Sequence, residues 1–330
     1  MKIFITGATG YIGTSLVNHL VKSGHELNLL VRSKKNSSHL KMPGVCIFYG
    51  DISNKYTMDQ AMQGCSQVFH LAAIAKVWVQ NPSDYYKINL LGTKNVLDSA
   101  KRNGIQKVVF CSTAGVFGAS RSHEISEESL RLYSYSNEYE SSKAMAESLI
   151  KDYIINSNMH IVIASPTRVY GPSDFHKPTM VNLMISKYLK GRWRLLPGKG
   201  DKIGNYVYID DVVRGLVQCM HKGKNGNTYL LAGENHDMRS FFRILAQISG
   251  KEYQLYKIPI WFINIAAYMQ YSFAELFSIE PVFTHKWLSK TRYDWRVCSN
   301  KSVKTLELQL TSLEVGLNKT FNWLIKKTPQ

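Results

Sequence analysis

Acidic residues are scarce in this chain. Its 330 residues carry 24 Asp and Glu against 41 Lys and Arg, a formal net charge of +17. Such an imbalance suits nucleic acid, an acidic membrane surface or an anionic small molecule. No nucleic-acid motif and no basic stripe interleaved with aromatics accompanies it, which excludes nucleic acid as the expected partner. Cysteine is sparse and unpaired: Cys46, Cys65, Cys111, Cys219 and Cys298 are odd in number and lack metal-ligand spacing. They read as reduced thiols of a cytoplasmic protein, with no disulfide framework and no metal site. The apolar start is too short for a signal peptide. Long apolar runs are missing too. Ile258 to Ala274 is uncharged but spans only 17 residues and contains Asn264 and Gln270, against the roughly 20 that cross a bilayer. It reads as a buried helix lining an apolar substrate cleft. The sharper alternative is a helix lying at a membrane interface, peripheral to the inner face.

What is present begins at once. Lys2-Ile3-Phe4-Ile5-Thr6 is a short apolar strand running into Gly7-Ala8-Thr9-Gly10-Tyr11-Ile12-Gly13. A helix is expected over Tyr11 to Lys22. Glycines admit close approach by phosphate, and a helix start offers free N–H groups and a positive dipole end. The segment therefore predicts a pyrophosphate cradle, although its first glycine gap is one residue longer than in the common dinucleotide fingerprint.

Strands are expected at Lys2–Thr6, Glu26–Arg32, Val45–Tyr49, Gln67–Leu71, Lys107–Ser112 and His160–Ser165, with helices between them. The clearest helices are Ser83–Asn103 and Asn137–Ser157. This alternation implies an α/β fold, a Rossmann doubly wound parallel sheet. After Pro166 the rhythm changes, with a helix over Thr179–Lys190. Strands near Asn205–Ile209 and Asn227–Leu231 are expected to return to the nucleotide domain. The resulting division is 1–166 plus about 205–232 for the dinucleotide-binding domain, and about 167–204 and 233–330 for a smaller, mostly helical substrate lobe. A basic cluster, Lys190, Arg192, Arg194, Lys199 and Lys202, reads as a solvated loop.

Tyr139 and Lys143 lie four apart on an expected helix and share a face. A nearby ammonium favours the ionised phenol, lowering its pKa from about 10. A phenol so tuned can pass a proton to or from a carbonyl oxygen. Tyr253 and Lys257 have the same spacing. Position separates the two pairs, because Tyr139 follows a strand that ends in Ser112 and Thr113, where hydroxyls face the ligand crevice.

In order along the chain stand the Gly7, Gly10, Gly13 turn, Gly50-Asp51-Ile52, His70-Leu71-Ala72-Ala73 and Asn89-x-x-Gly92-Thr93. The Tyr139/Lys143 pair, Pro166 to Pro172 and Tyr206 to Val212 follow. With these motifs the chain resembles the extended short-chain dehydrogenase/reductases, also called the NAD-dependent epimerase/dehydratase family, over nearly its whole length. The resemblance implies that Tyr139 is the acid/base, that Lys143 holds the nicotinamide ribose and tunes Tyr139, and that Thr113 polarises the substrate oxygen, with Ser112 as alternate. It implies cofactor contacts from Gly7, Thr9, Gly10, Tyr11, Ile12, Gly13, Pro166, Asp51 and Ile52 (at the adenine) and Leu71, Ala72 and Ala73 (at ribose and phosphate). Asn89 is given a solvent-network role, with helix capping as the plain alternative. Relatives of this kind often form homodimers through the helices matching 83–103 and 137–157.

NAD-preferring relatives carry a carboxylate at the end of the second strand. Here Val31 is followed by Arg32, Ser33, Lys34 and Lys35. Arg32 and Ser33 could hold a 2′-phosphate, so NADP(H) is favoured and NAD(H) is the alternative. The Asp-Glu pair that follows the catalytic Thr in sugar-nucleotide dehydratases is replaced by Ala114-Gly115. The Arg that precedes the aromatic of the Val-Asp-Asp segment in sugar-nucleotide binders is missing or moved in Lys202-Ile203-Gly204-Asn205-Tyr206. The expectation is an oxidoreductase interconverting a ketone and a secondary alcohol on a steroid-, flavonoid- or lipid-like substrate, similar to the dihydroflavonol-reductase, 3β-hydroxysteroid-dehydrogenase and hopanoid-associated reductase branch. An epimerase of nucleotide sugars and a non-catalytic dinucleotide sensor are the alternatives.

Overall fold

The computed structural model describes residues 1–327 apart from 77, 121–122, 158, 174–177, 278, 280 and 282–283. The strands are β1 (Lys2–Thr6), β2 (Glu26–Val31), β3 (Val45–Tyr49), β4 (Gln67–His70), β5 (Lys107–Cys111), β6 (His160–Pro166), β7 (Arg168–Tyr170), β8 (Leu195–Pro197), β9 (Ile203–Tyr208), β10 (Thr228–Leu231), β11 (Glu234–Asp237) and β12 (Tyr256–Ile258). The helices are α1 (Tyr11–Lys22), α2 (Lys55–Met62), α3 (Ser83–Tyr86), α4 (Gly92–Arg102), α5 (Glu138–Ser157), α6 (Met180–Leu189), α7 (Ile209–Lys222), α8 (Met238–Ser249), α9 (Ile260–Phe277), α10 (His285–Leu288), α11 (Asn300–Leu306) and α12 (Leu313–Lys327).

Seven strands form one parallel sheet in the order β10, β6, β5, β4, β1, β2, β3. The chain starts at the centre, winds outward to β3, and returns to place β4 beside β1. That reversal opens a crevice at the carboxyl ends of β1 and β4, where ligands bind in such sheets. Strand alternation builds a core on each face. Ile3 and Ile5 of β1 join the cluster under α1 and α7, while Phe4 joins the one under α2, α4 and α5.

Three features add detail to the sequence-based picture or depart from it. First, of the two late strands it is Thr228–Leu231 that joins the main sheet. Strand β9 pairs with β7 and β11 in a separate three-stranded sheet. Its alternation explains why: Val207 enters the main-sheet core, whereas Tyr206 and Tyr208 pack into a third cluster with α6, α8 and α12. The region outside the main sheet thus holds two small sheets as well as helices. Second, the helix over 83–103 is broken by a π-helical turn at Lys87–Leu91, a distortion common at functional sites. Third, α9 is not buried. Ile258 and Ile263 reach a cleft, but Trp261 is 64 % exposed and Phe262, Ile265, Tyr268, Met269 and Phe273 are also open to solvent.

Candidate active site

The glycine turn is closed by contacts no side chain would allow. Gly7 has φ +74°, and a Cβ on Gly13 would lie 2.1 Å from the Gly7 carbonyl oxygen. Helix α1 starts at Gly10 with no side-chain cap and no acidic residue in its first turn. Its first N–H groups are therefore left for a ligand, and the positive dipole end is not neutralised. The turn and helix start suit a pyrophosphate.

Across the switch point, Thr113 and Tyr139 face each other. Thr113 Oγ1 accepts from Gly115 N at 3.1 Å, capping a short helical turn, and stands beside the Tyr139 phenol. Burial holds that phenol above its usual range, and the neighbouring Thr113 hydroxyl works against the shift. The downward pull expected from Lys143 does not govern it. Lys143 is fully buried and donates from Nζ to Cys111 O at 2.8 Å, with Nζ 3.9 Å from the Phe110 ring centre. Burial lowers the Lys143 ammonium to about 8. The alternate hydroxyl, Ser112, donates to Glu147 on α5 and is buried, so it is committed to the protein. Burial raises the Glu147 carboxyl, with the Ser112 bond and Lys143 opposing.

The site rests on a chain of buried polar groups. Thr93 spends its one hydroxyl proton on Asn89 O at 2.7 Å, so it accepts from His70 Nε2 at 2.9 Å. His70 Nδ1 then accepts from Thr6 Oγ1 at 2.7 Å, and Thr6 Oγ1 accepts from Ala72 N at 3.2 Å. His70 is a neutral ring, pushed to about 3 by burial and then by Lys143. The relay locks the exit of β1 to the exit of β4. Asn89 extends it. Its Oδ1 accepts from Ile74 N at 2.8 Å, and its Nδ2 donates to Ile74 O at 3.1 Å and Ser142 Oγ at 2.9 Å. Ser142 Oγ donates to Tyr139 O at 2.9 Å. Asn89 is thus a clasp between the β4 exit and the Tyr139 helix rather than a helix cap.

A second brace holds the entry of α5. Arg131 donates to Gly115 O at 2.6 Å, Tyr133 O at 2.8 Å, Ser134 O at 3.0 Å and Glu140 Oε2 at 3.0 Å. Glu140 is fully buried. Its neighbour Tyr139 and the Thr113–Gly115 turn are therefore tied to one ion pair.

A single cleft of about 710 Å³ joins Gly7, Gly10, Tyr11, Ile12, Gly13, Leu71, Ala73, Ser112, Thr113, Tyr139 and Pro166. Its other wall comes from α6, β8, α8 and α9. Several residues assigned to the cofactor lie off it. Arg32 and Asp51 follow β2 and β3, one and two strands beyond the switch point, about 5 and 10 Å along the sheet. Asp51 uses one oxygen to accept from Ser53 N at 2.9 Å. Ile52 and Ala72 pack into the core beneath α4, where Gly92 lacks a Cβ that would sit 2.3 Å from Ile52 Cδ1. Thr9 sits in the turn without a side-chain bond among the described residues. Tyr11 donates from its hydroxyl to Gly171 O at 3.0 Å, joining the turn to the far wall. The basic cluster is not simply a solvated loop, because Arg192 and Arg194 line the cleft.

Sheet order, glycine turn and the Thr113/Tyr139 contact together define a dinucleotide-binding enzyme of the short-chain dehydrogenase/reductase class. Residues 3–232 match the model of the NAD dependent epimerase/dehydratase family, and the chain belongs to that family. It is similar to a putative dihydroflavonol 4-reductase of Synechocystis, 27% identical over 97% of this chain and 93% of that one. It is also similar to a decarboxylating sterol-4-alpha-carboxylate 3-dehydrogenase of Mus musculus, 25% identical over 86% of this chain and 79% of that one. Among solved structures, a UDP-glucose 4-epimerase of Thermotoga maritima with UDP-glucose superposes at a TM-score of 0.81, covering 99% of both chains at 22% identity, a likeness of fold. The family therefore includes reductases, dehydrogenases and epimerases, acting on CH–OH groups with a nicotinamide cofactor.

Proposed function

We propose that this chain is an NADP(H)-dependent oxidoreductase that interconverts a ketone and a secondary alcohol on a hydrophobic substrate. One observation carries the reading: a single cleft runs from the glycine turn past Thr113 and Tyr139 to a wall of Met180, Val181, Met184, Met238, Ile258 and Ile263. When bound, the nicotinamide supplies or accepts a hydride. The chain's own residues do the rest. The glycine turn and the start of α1 hold the pyrophosphate. Tyr139, kept protonated by burial, gives its proton to the substrate oxygen in reduction and takes it back in oxidation. Thr113 hydrogen-bonds the same oxygen and fixes its place beside the phenol. Lys143 presents a cation at the ribose and secures Cys111 below. The apolar wall excludes water and receives the body of the substrate.

The NADP(H) preference rests on Arg32. It is exposed at the end of β2, has no ion-pair or hydrogen-bond partner among the described residues, and no carboxylate stands at that strand end. The membrane reading rests on α9. Among the described residues no helix is long and apolar enough to cross a membrane. The exposed aromatics of α9, with a net charge of +17, fit the surface of an anionic bilayer. Binding to anionic but not neutral vesicles, weakened in Trp261→Ser, is expected; equal binding to both would contradict it. Leu91 and Met145, exposed beside and on α5, support pairing of two copies through the α4 and α5 face.

An NADPH-oxidation screen over steroids, flavonoid-like ketones, keto-lipids and UDP-sugars tests the central reading. Turnover of one apolar ketone class, lost in Tyr139→Phe, is expected. Interconversion of UDP-sugars without net cofactor use would replace it with the epimerase reading.

A further inference from the structure

The cleft wall opposite Tyr139 carries Arg168, Lys187, Arg192 and Arg194, and among the described residues no Asp or Glu lines the cleft. None of these four cations has a carboxylate partner among the described residues. Among the described residues Arg194 donates to Gly191 O at 2.9 Å and lies over the Tyr253 ring, whose centre is 4.2 Å from its guanidinium carbon. Trp193 between them keeps its indole N–H buried without an acceptor among the described residues. The wall is rich in donors and short of acceptors.

Arg168 is placed by a gap in the neighbouring strand. Strands β7 and β9 pair Arg168 with Tyr206. A Cβ on Gly204 would lie 2.3 Å from Arg168 Nη1, so the guanidinium lies against the backbone where any other residue would put a side chain, with its carbon 5.7 Å from the centre of the Tyr206 ring. Only partly exposed, it faces the cleft without a hydrogen-bond partner among the described residues. A guanidinium held this way has its planar fork free for a two-oxygen acceptor. A partly buried charge without a carboxylate partner among the described residues is costly, and an anionic ligand would offset that cost.

We propose that the substrate of this cleft carries an oxyanion, a carboxylate or a phosphate, on its apolar body, and that Arg168 receives it with Arg192 and Arg194 beside it. This rests on the oxidoreductase reading for the cleft's reacting end but is tested separately. The protein, loaded with NADPH, is titrated by calorimetry with a long-chain beta-keto acid, its methyl ester, an alkyl phosphate of equal chain length, and UDP-glucose. The acid or the phosphate is expected to bind at least about tenfold tighter than the ester, and the stronger of the two identifies the source. Arg168→Gln is expected to lose most of that preference and Arg168→Lys to recover part of it, with NADPH affinity unchanged in both. Should Arg168→Gln fail to fold, the paired change Arg192→Gln and Arg194→Gln is expected to reduce the same ratio. Equal binding of acid, phosphate and ester overturns the proposal, as does a preference untouched by these variants. UDP-glucose binding tighter than every amphiphile overturns the apolar body. NADPH oxidation with ester and acid alike would leave the reductase reading intact without the anion site. Anion-selective binding without turnover of any ketone would do the reverse.

Discussion

The two walls of the cleft are built by opposite means. On the nucleotide wall the backbone does the recognising, through the Gly7–Gly13 turn and the start of α1, and the polar side chains behind it are buried and mutually satisfied from Thr6 to Ser142. On the substrate wall stand cations without a carboxylate partner among the described residues, framed by apolar residues and continuous with the exposed α9. A fixed ligand can be met by a rigid, self-satisfied surface. A wall left with free cations and open apolar area is completed by what binds it.

The largest expected effect breaks the rigid wall. Glu140→Gln removes one partner of a buried ion pair and leaves Arg131 uncompensated, at a cost of about 3–5 kcal/mol in urea unfolding. The same change should lower turnover, because Tyr139 is the next residue. A loss near zero would mean that Arg131 finds another partner and that the brace is not structural. On the opposite wall, Arg168→Gln should leave stability close to wild type.

A smaller effect tests the far end of the nucleotide site. Arg32→Ala should weaken NADPH by about 1.5–3 kcal/mol, a bond to a charged group, and leave NADH unchanged. An unchanged ratio of the two affinities would remove the NADP(H) preference.

The smallest is a pH dependence. His70 is neutral in the fold, with its pKa pushed to about 3, whereas an unfolded His titrates near 6.5. The unfolded chain therefore binds more protons between these values, and stability is lost as pH falls from about 6.5 toward 3. For this group the loss reaches about 2 kcal/mol by pH 5. Comparing urea midpoints at pH 7 and pH 5 for wild type and His70→Gln isolates it. An identical pH slope in the variant would contradict the neutral relay.

The same contrast explains what the sequence disclosed. The nucleotide wall is written in local patterns: a strand, glycines at fixed gaps, a helix, and a strand end carrying hydroxyls. Strand order and the cluster at Gly7, Thr113 and Tyr139 follow from those patterns. The relay through His70 and Thr93 was visible only as motif letters, since its bonds join residues far apart in the chain. The Arg131–Glu140 brace had no local signal, because a charged pair nine residues apart across a loop resembles any two surface residues. The substrate wall combines β7, α6, the 191–197 segment and α9, and only the fold brings them together. For the same reason the sheet that β9 joins was not legible: its alternation of Tyr206, Val207 and Tyr208 fits either sheet. The exposure of α9 was hidden as well, because an uncharged helix reads as core whether or not anything covers it.

The central claim is that Tyr139 passes a proton while a hydride moves between cofactor and an apolar ketone. Its most direct test supplies NADPH deuterated on the nicotinamide to the wild type and to Tyr139→Phe, with the best ketone of the screen. The account predicts one deuterium fixed at the new carbinol carbon for each NADPH consumed, and a rate about 10²–10⁴ lower in Tyr139→Phe with cofactor affinity unchanged. Undiminished turnover in Tyr139→Phe, or product formed with no net NADPH consumed, would contradict it.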